Sequence, residues 1–337
     1  MSETIRLAHG LGGRLTQNLL DQVIAPALSG ADGHAVTLDA AVLADLAPPV
    51  VVSTDSFTIL PRFFPGGDIG KLAVCGTVND VAMMGGRPRY LALGLILEEG
   101  LPIEELRRIL ISIGETARRA GVQIVTGDTK VVEKGSADGI FIHTTGFGTR
   151  VLPPVGPDQI CYGDHILISG SIADHGAAIL NAREKLGFAQ TLESDCAPLW
   201  ELVAAVATAA GTGLHALRDP TRGGVAATLN EFARDTGLQF VLEEAAIPVR
   251  EEVAAFLEVL GLDPLPIPNE GKCLLMVAPE AASAALNALR GHPLGRQAAA
   301  IGRVEKGGRR GRVILETRIG TRRVVEMPLE AGLPRIC

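Results

Sequence analysis

Hydrophobic positions change their period several times along the chain. HAVTLDAAVLA (34–44) and PVVVSTDS (49–56) are short apolar stretches that predict strands. PGGDIGKLAVCGTVNDVAMMG (65–85) is small and apolar on every side and bounded by glycines, which predicts a buried helix. PRYLALGLILEE (88–99) predicts a buried strand, and 102–121 an amphipathic helix that starts at Pro102 and stops before Gly121. VQIVTGDTK (122–130) and DGIFIHTTGFGT (138–149) add two strands.

A stretch rich in Pro and Gly, RVLPPVGPDQICYGD (150–164), reads as a linker. Beyond it strands and helices alternate again. HILISG, LQFVLEE, KCLLMVA and AAAIGRVE predict strands. GAAILNAREKLG, 198–210, a segment opening at Thr221, EEVAAFLEVLG and AASAALNALRG predict helices. RVILETRIGTRRVVEM (312–327) predicts a closing hairpin. The fold class is α/β (α+β), in two domains: 1–150, 151–325, and a mobile tail over 326–337.

Composition narrows the picture. The chain has 337 residues, long enough for two cores, and 47% of them are hydrophobic, which argues against disorder. A net charge of -7 excludes nucleic acid as an expected partner. The N-terminus lacks a signal-peptide pattern and the apolar runs are too short to span a bilayer, so cytoplasm is the expected location and no membrane partner is. The five cysteines form no C-x-x-C site, so neither zinc nor disulfides are expected. Cys75 and Cys273 sit in core-like segments, whereas the last residue, Cys337, has no core reading.

Candidate chemistry lies at the ends of apolar segments. Asp55 and Asp128 read as strand-end carboxylates, and Asn79 and Asp80 interrupt an apolar helix. Buried carboxylates need partners, and small neighbours leave room for one. Each Asp alone also reads as a cap or turn residue; together, hard oxygen donors suit magnesium held with a nucleotide's phosphates. HGLGG (9–13) and LRDPTRGGV (217–225) offer backbone amides to an anion or ordinary turns. PNEGK (268–272) places Glu270 and Lys272 before a strand.

These motifs, taken with SGSIADHGAAIL and the terminal PRIC, carry a resemblance over the whole chain. The sequence resembles the HypE family of hydrogenase maturation factors, itself similar to the aminoimidazole ribonucleotide synthetase family of ATP enzymes. The resemblance implies two α/β domains, a homodimer formed through the N-terminal domains, and ATP with Mg2+ bound near that pairing. It implies an ATP-dependent carbamoyl dehydratase: the carbamoyltransferase HypF loads Cys337, the thiocarboxamide becomes a thiocyanate, and the cyano group passes to iron on HypC–HypD. It places nucleotide contacts on His9, Gly10, Gly12, Gly13, Asp55, Lys71, Asn79, Asp80, Thr126, Gly127, Asp128, Asp219, Arg222 and Gly223. Metal contacts fall on Asp55, Asp80 and Asp128, and catalysis on Cys337, with Glu270 as base and Lys130 polarising the oxygen or relaying a proton. A phosphotransferase acting on a free substrate and a non-catalytic thiol carrier are the competing readings.

Overall fold

The computed structural model describes residues 4–10, 14–28, 43, 46–184, 192–308, 311–328 and 335–336. One helical segment opens it: α1 (Arg14–Leu19) runs through a wider turn at Leu20–Ile24 into α2 (Ala25–Leu28). Then come β1 (Val50–Phe57), the short pair β2 (Phe63–Phe64) and β3 (Gly67–Asp68), α3 (Ile69–Met83), β4 (Gly86–Glu98), α4 (Ile103–Ala120), β5 (Gln123–Val132) and β6 (Ile140–Arg150). Four of these strands make one sheet in the order β1-β6-β4-β5, antiparallel except for β4 with β5.

After the linker come β7 (His165–Ile168), α5 (Asp174–Glu184), α6 (Trp200–Ala210), β8 (Leu214–Arg218), α7 (Gly224–Thr236), β9 (Gln239–Glu243) and α8 (Glu251–Leu260). The chain continues through β10 (Leu274–Val277), α9 (Pro279–Gly291), β11 (Ala299–Glu305), β12 (Arg312–Glu316) and β13 (Arg322–Val324). Seven strands make a second mixed sheet, β13-β12-β9-β11-β7-β10-β8. The side chains of α7 share one core with it, those of α6 and α9 another.

The predicted α/β class with mixed sheets holds. The helix predicted to open at Thr221 starts at Gly224, so Asp219–Gly223 is loop, and the preceding strand β8 was not anticipated. LHALR is five residues long and carries a half-buried His215 and an exposed Arg218, too little apolar pattern to read.

Helix α3 positions the site. Asp68 caps it, accepting from the backbone of Gly70 (2.7 Å) and Lys71 (3.0 Å). The helix is buried almost all round because it packs on β1, β4, β6 and α4 and also meets α6 and β8 of the second half. A core that includes Leu72 and Val78 of α3 continues into Ala177 of α5, Phe256 of α8 and Ile336 near the C-terminus. Among the described residues no helix is long and apolar enough to cross a membrane.

Candidate functional site

Strand β1 alternates, so Val51, Ser53, Asp55 and Phe57 turn toward α3 while Val50, Val52, Thr54 and Ser56 face away. Both Asp55 and Asp128 lie within their strands rather than at the ends, because β1 and β5 continue past them. Across the gap from Asp55, Asp80 of α3 accepts a hydrogen bond from Ser53 Oγ at 2.7 Å. Gly76, one turn earlier, stands over Asp55; a Cβ there would meet the Phe57 ring at 2.9 Å.

From the other half, β8 ends at Arg218, and the loop Asp219–Gly223 folds over the same space. These elements and Glu270 enclose a cleft of about 360 Å³, lined among others by Ser53, Asp55, Asp80, Arg218, Asp219 and Arg222. Sequence reasoning missed Ser53 and Arg218 as cleft residues. The signal was present in Ser53, two residues before Asp55 and hence on the same strand face.

The electrostatics of the cleft are those of crowded, partly dehydrated carboxyls. Burial raises Asp219 to about 7, with Asp80 adding to the shift. Burial also raises Asp80, against its bond from Ser53, and Asp55 raises it further. Glu270, only 3% exposed, is pushed well above the ordinary range by burial first and then by Asp219, Asp195 and Asp55.

This donor set fits Mg2+. Asp55 and Asp80 are hard oxygen donors whose mutual repulsion a cation relieves, and Arg218 and Arg222 suit phosphate charge. Among the described residues no group of three acidic, His or Cys side chains forms a metal cage. Mg2+ ordinarily takes one or two carboxylates together with waters and phosphate oxygens, so the set suits an ion shared with a nucleotide.

The remaining predicted residues fall into other groups. Asp128 pairs with Gly94 and Lys130 with Ile96, so both side chains stand on the outer face of the sheet, exposed, with Thr126 beside Ala92. The register Asp55–Thr144–Leu93–Gly127 sets Asp128 and Asp55 about three strand spacings apart, roughly 14 Å, on opposite faces. Within one chain, therefore, Asp128 and Lys130 do not join Asp55, Asp80 and Glu270, so the three predicted metal aspartates are not brought together: only Asp55 and Asp80 share the cleft. The single-sequence pattern marks strands but not the order in which they pair. His9 and Gly10 lie in a turn that packs against β5, where His9 Nδ1 accepts from the backbone of Arg6. Gly12, Gly13 and Cys337 lie outside the described residues.

Two further assignments change. Lys71 is not part of the cleft lining; its Nζ donates to the Gly66 carbonyl at 2.7 Å. Asn79 is buried, and both ends of its amide are engaged: Nδ2 donates to the carbonyls of Ala197 and Glu270, and Oδ1 accepts from Leu199 N–H at 2.8 Å. It is a bridge from α3 to the second half rather than a nucleotide contact. Asn79→Ala is expected to cost about 3 kcal/mol, since it leaves buried backbone groups unpaired. Urea unfolding checks this, and a loss under 1 kcal/mol would remove the bridge. Gly223, predicted inside a helix opening at Thr221, lies in the loop before α7, left-handed at φ 74°.

Glu270 is held from behind by a segment that carried no sequence signal. Asp195 accepts from the backbone of Glu270 (3.1 Å) and Gly271 (3.3 Å) and pairs with Lys272 Nζ at 3.4 Å. A Cβ on Gly271 would lie 1.9 Å from the Asp195 carbonyl oxygen, so the approach requires glycine. Next to Asp195, Ser194 Oγ bonds the buried His175, whose Nε2 donates to the Ile336 carbonyl at 2.8 Å. Where the sequence predicted a mobile tail, Ile336 is 3% exposed and Arg335 is tied to the first half. Apolar burial of Ile336 and the hydrogen bonds of Arg335 and of the Ile336 carbonyl hold residues 335–336 in place.

The sequence matches the AIR synthase related protein N-terminal domain over residues 37–150 and its C-terminal domain over 162–314. It is 51% identical to carbamoyl dehydratase HypE of Azotobacter vinelandii, across 99% of this chain and 97% of that one. A crystal structure of the hydrogenase maturation protein HypE in complex with ATP superposes with a TM-score of 0.93, at 47% identity, covering 98% of this chain and 99% of the other. HypE from a HypE–HypF complex superposes at 0.80 with 43% identity, over 94% and 100%. With its cleft, its seated C-terminus and these likenesses in the same molecule, the chain belongs to the AIR synthase related family and, within it, to the carbamoyl dehydratases called HypE.

Proposed function

We propose that this chain is an ATP-dependent carbamoyl dehydratase of [NiFe]-hydrogenase maturation that works on a carboxamide carried by its own Cys337. The observation that carries this reading is the shared wall at Ser194–Cys196. Ser194 supports the His175 that holds the C-terminal end, and Asp195 supports the backbone of Glu270. One short segment thus ties the seat of the tail to the buried acid of the cleft.

The chemistry follows from the groups present. Cys337–S–C(=O)–NH2 and ATP give Cys337–S–C≡N, ADP and phosphate, the amide oxygen leaving within the phosphate. ATP supplies the leaving group that an amide oxygen lacks. Asp55 and Asp80 would hold Mg2+ against the phosphates, and Arg218 and Arg222 line the same space. The nitrogen must lose two protons in turn; Glu270 accepts one at a time and passes it to a phosphate oxygen or to solvent before taking the next, and its raised pKa makes it a stronger base than an ordinary carboxylate. ATP binding is supported by the relative crystallised with ATP. HypF as the loading partner is supported by the relative crystallised with it, whereas delivery of cyanide to iron on HypC–HypD rests on the resemblance.

The site is completed by a second copy in this reading. The outer face of the four-stranded sheet exposes Val50, Ile96 and Val52, the last at 55%. It also carries His143, exposed and bonded to the Thr54 and Ser56 hydroxyls. β1 and β5 are the two edges of that sheet. Pairing two such faces with β5 of one copy beside β1 of the other brings Asp128 and Lys130 toward the partner's cleft. Val52→Lys is expected to convert the homodimer to monomers and to lower dehydration at least tenfold, read by sedimentation equilibrium beside single-turnover assays. A variant that stays dimeric and active would rule out this face.

The deciding test is the intact mass of protein loaded by HypF, before and after Mg-ATP. One carbamoyl group gained, then one water lost, is the expected result. Loading without that loss leaves only a carrier, and no loading at all favours a free-substrate phosphotransferase.

A further inference from the structure

The C-terminal end is clasped from both halves of the molecule. The Arg335 guanidinium donates to the Thr58 carbonyl from Nε (3.0 Å) and Nη2 (2.9 Å) and forms an ion pair with Asp138. The Arg335 carbonyl accepts from Arg183 Nη2 at 2.7 Å and from Leu60 N–H at 3.4 Å. Arg335 itself is left-handed at φ 53°, a conformation that a non-glycine residue keeps only where the surroundings overdetermine it.

His175 makes the contact nearest the end. A carbonyl only accepts, so Nε2 carries the proton it donates to Ile336. With one proton on the ring, Nδ1 accepts from the Ser194 hydroxyl at 2.8 Å, and Ser194 Oγ accepts in turn from Cys196 N–H at 3.1 Å. The ring is completely buried, and burial disfavours its charged form, so a single neutral tautomer faces the tail. The carbonyl it holds belongs to the planar peptide group that joins Ile336 to Cys337.

The base of His175 is tied to the acid of the cleft by a second route. Ala173, left-handed at φ 72° just before α5, donates its N–H to Asn269 Oδ1 at 2.8 Å. Asn269 also donates to the Pro220 carbonyl at 3.0 Å, beside Asp219, and directly precedes Glu270.

We infer that His175 is a positioning residue for the dehydration, its Nε2–H fixing the Ile336–Cys337 peptide group so that the loaded thiol is presented in register with Glu270. This rests on the proposed dehydratase reading and adds to it a residue that touches neither nucleotide nor carboxamide. Arg335 and Arg183 anchor the tail; His175 aims its last peptide. A tail that is only anchored would be loaded and would wait; one that is aimed reacts.

The test uses full-length protein loaded by HypF, with single-turnover dehydration followed by intact mass after Mg-ATP. His175→Leu is expected to load within twofold of wild type, to bind ATP as before by calorimetry, and to dehydrate about tenfold more slowly, the loss of one buried hydrogen bond. His175→Gln, which returns an N–H donor, is expected to regain part of the rate. Carboxypeptidase is expected to remove Cys337 faster from the Leu variant than from wild type. Ser194→Ala frees the tautomer without emptying the core; it is expected to slow dehydration several-fold and stands in if His175→Leu does not fold. Wild-type dehydration rates in folded, loaded variants would overturn the inference, as would parallel losses of loading, ATP binding and dehydration. A wild-type protein that loads but never loses water would instead overturn the dehydratase reading on which it stands.

Discussion

Cys337→Ala is expected to leave a folded protein that binds ATP and accepts no carbamoyl group, with dehydration falling below detection. The reason lies in the chemistry of the other four thiols. Cys75, Cys196 and Cys273 are buried. Contact with Cys75 and then burial push the Cys196 thiol well above its usual range, and burial pushes Cys273 up to about 12. Thiols enclosed in the core cannot reach a carbamoyl donor, so none of the three substitutes for the terminal residue. Cys161 is exposed but sits in the linker turn, where its backbone N–H is held by Asp164. The assay is HypF-dependent loading by intact mass, with Cys161→Ser as a control for stray labelling. Folding is not at risk, because the anchoring contacts are made by Arg335 and Ile336 through side chains and carbonyls that alanine at 337 leaves in place. Loading of the alanine variant at the wild-type rate would take the tail out of the mechanism.

How much of this was legible in the sequence differs from feature to feature. The predicted strands and helices from 49 onward each have a counterpart in the structure, because burial patterns of period 2 and 3.6 are written locally, whereas the short strands β2, β3 and β8 were not anticipated. The 34–44 strand lies outside the described residues. Asp55 at a strand end, Asp80 inside an apolar helix, Asp219 in LRDPTRGGV and Glu270 in PNEGK were each singled out, and they do share one cleft. Their company could not be read from spacing, since Asp219 and Glu270 arrive from different loops of a sheet whose strand order follows no sequence rule. Asp128 failed to join them for the same reason: β5 is the far edge of the first sheet. Asn79 looked like a ligand because it is a polar residue in an apolar helix, yet its partners are backbone groups from 197–199 and 270. Ser194 and Asp195 had no pattern to betray them, and His175 sat in SGSIADHGAAIL with nothing to mark its partner. Their roles come from contacts across 161 residues for His175 and 75 for Asp195.

Glu270→Gln is expected to load normally and to dehydrate 10²- to 10⁴-fold more slowly, the usual contribution of a positioned general base. Glutamine keeps the volume and the backbone bonds to Asp195, so the change isolates the proton acceptor. The same substitution is expected to stabilise the ligand-free protein at alkaline pH. Glu270 has its folded pKa raised by burial and by Asp219, Asp195 and Asp55. The stability linked to that raised value is fully present below the unfolded pKa and is lost as pH rises through the folded one. Above it, wild type carries a buried charge among like charges, and glutamine does not. Dehydration in wild type should climb with pH over the same interval as Glu270 gives up its proton, and that limb should vanish in the variant. Thermal melts at pH 6 and pH 9 beside single-turnover rates read both effects. A variant more stable yet inactive identifies a carboxyl kept at the expense of the fold for its basicity; one that dehydrates within a few-fold of wild type would move the base elsewhere, with Lys130 of a second copy the next candidate.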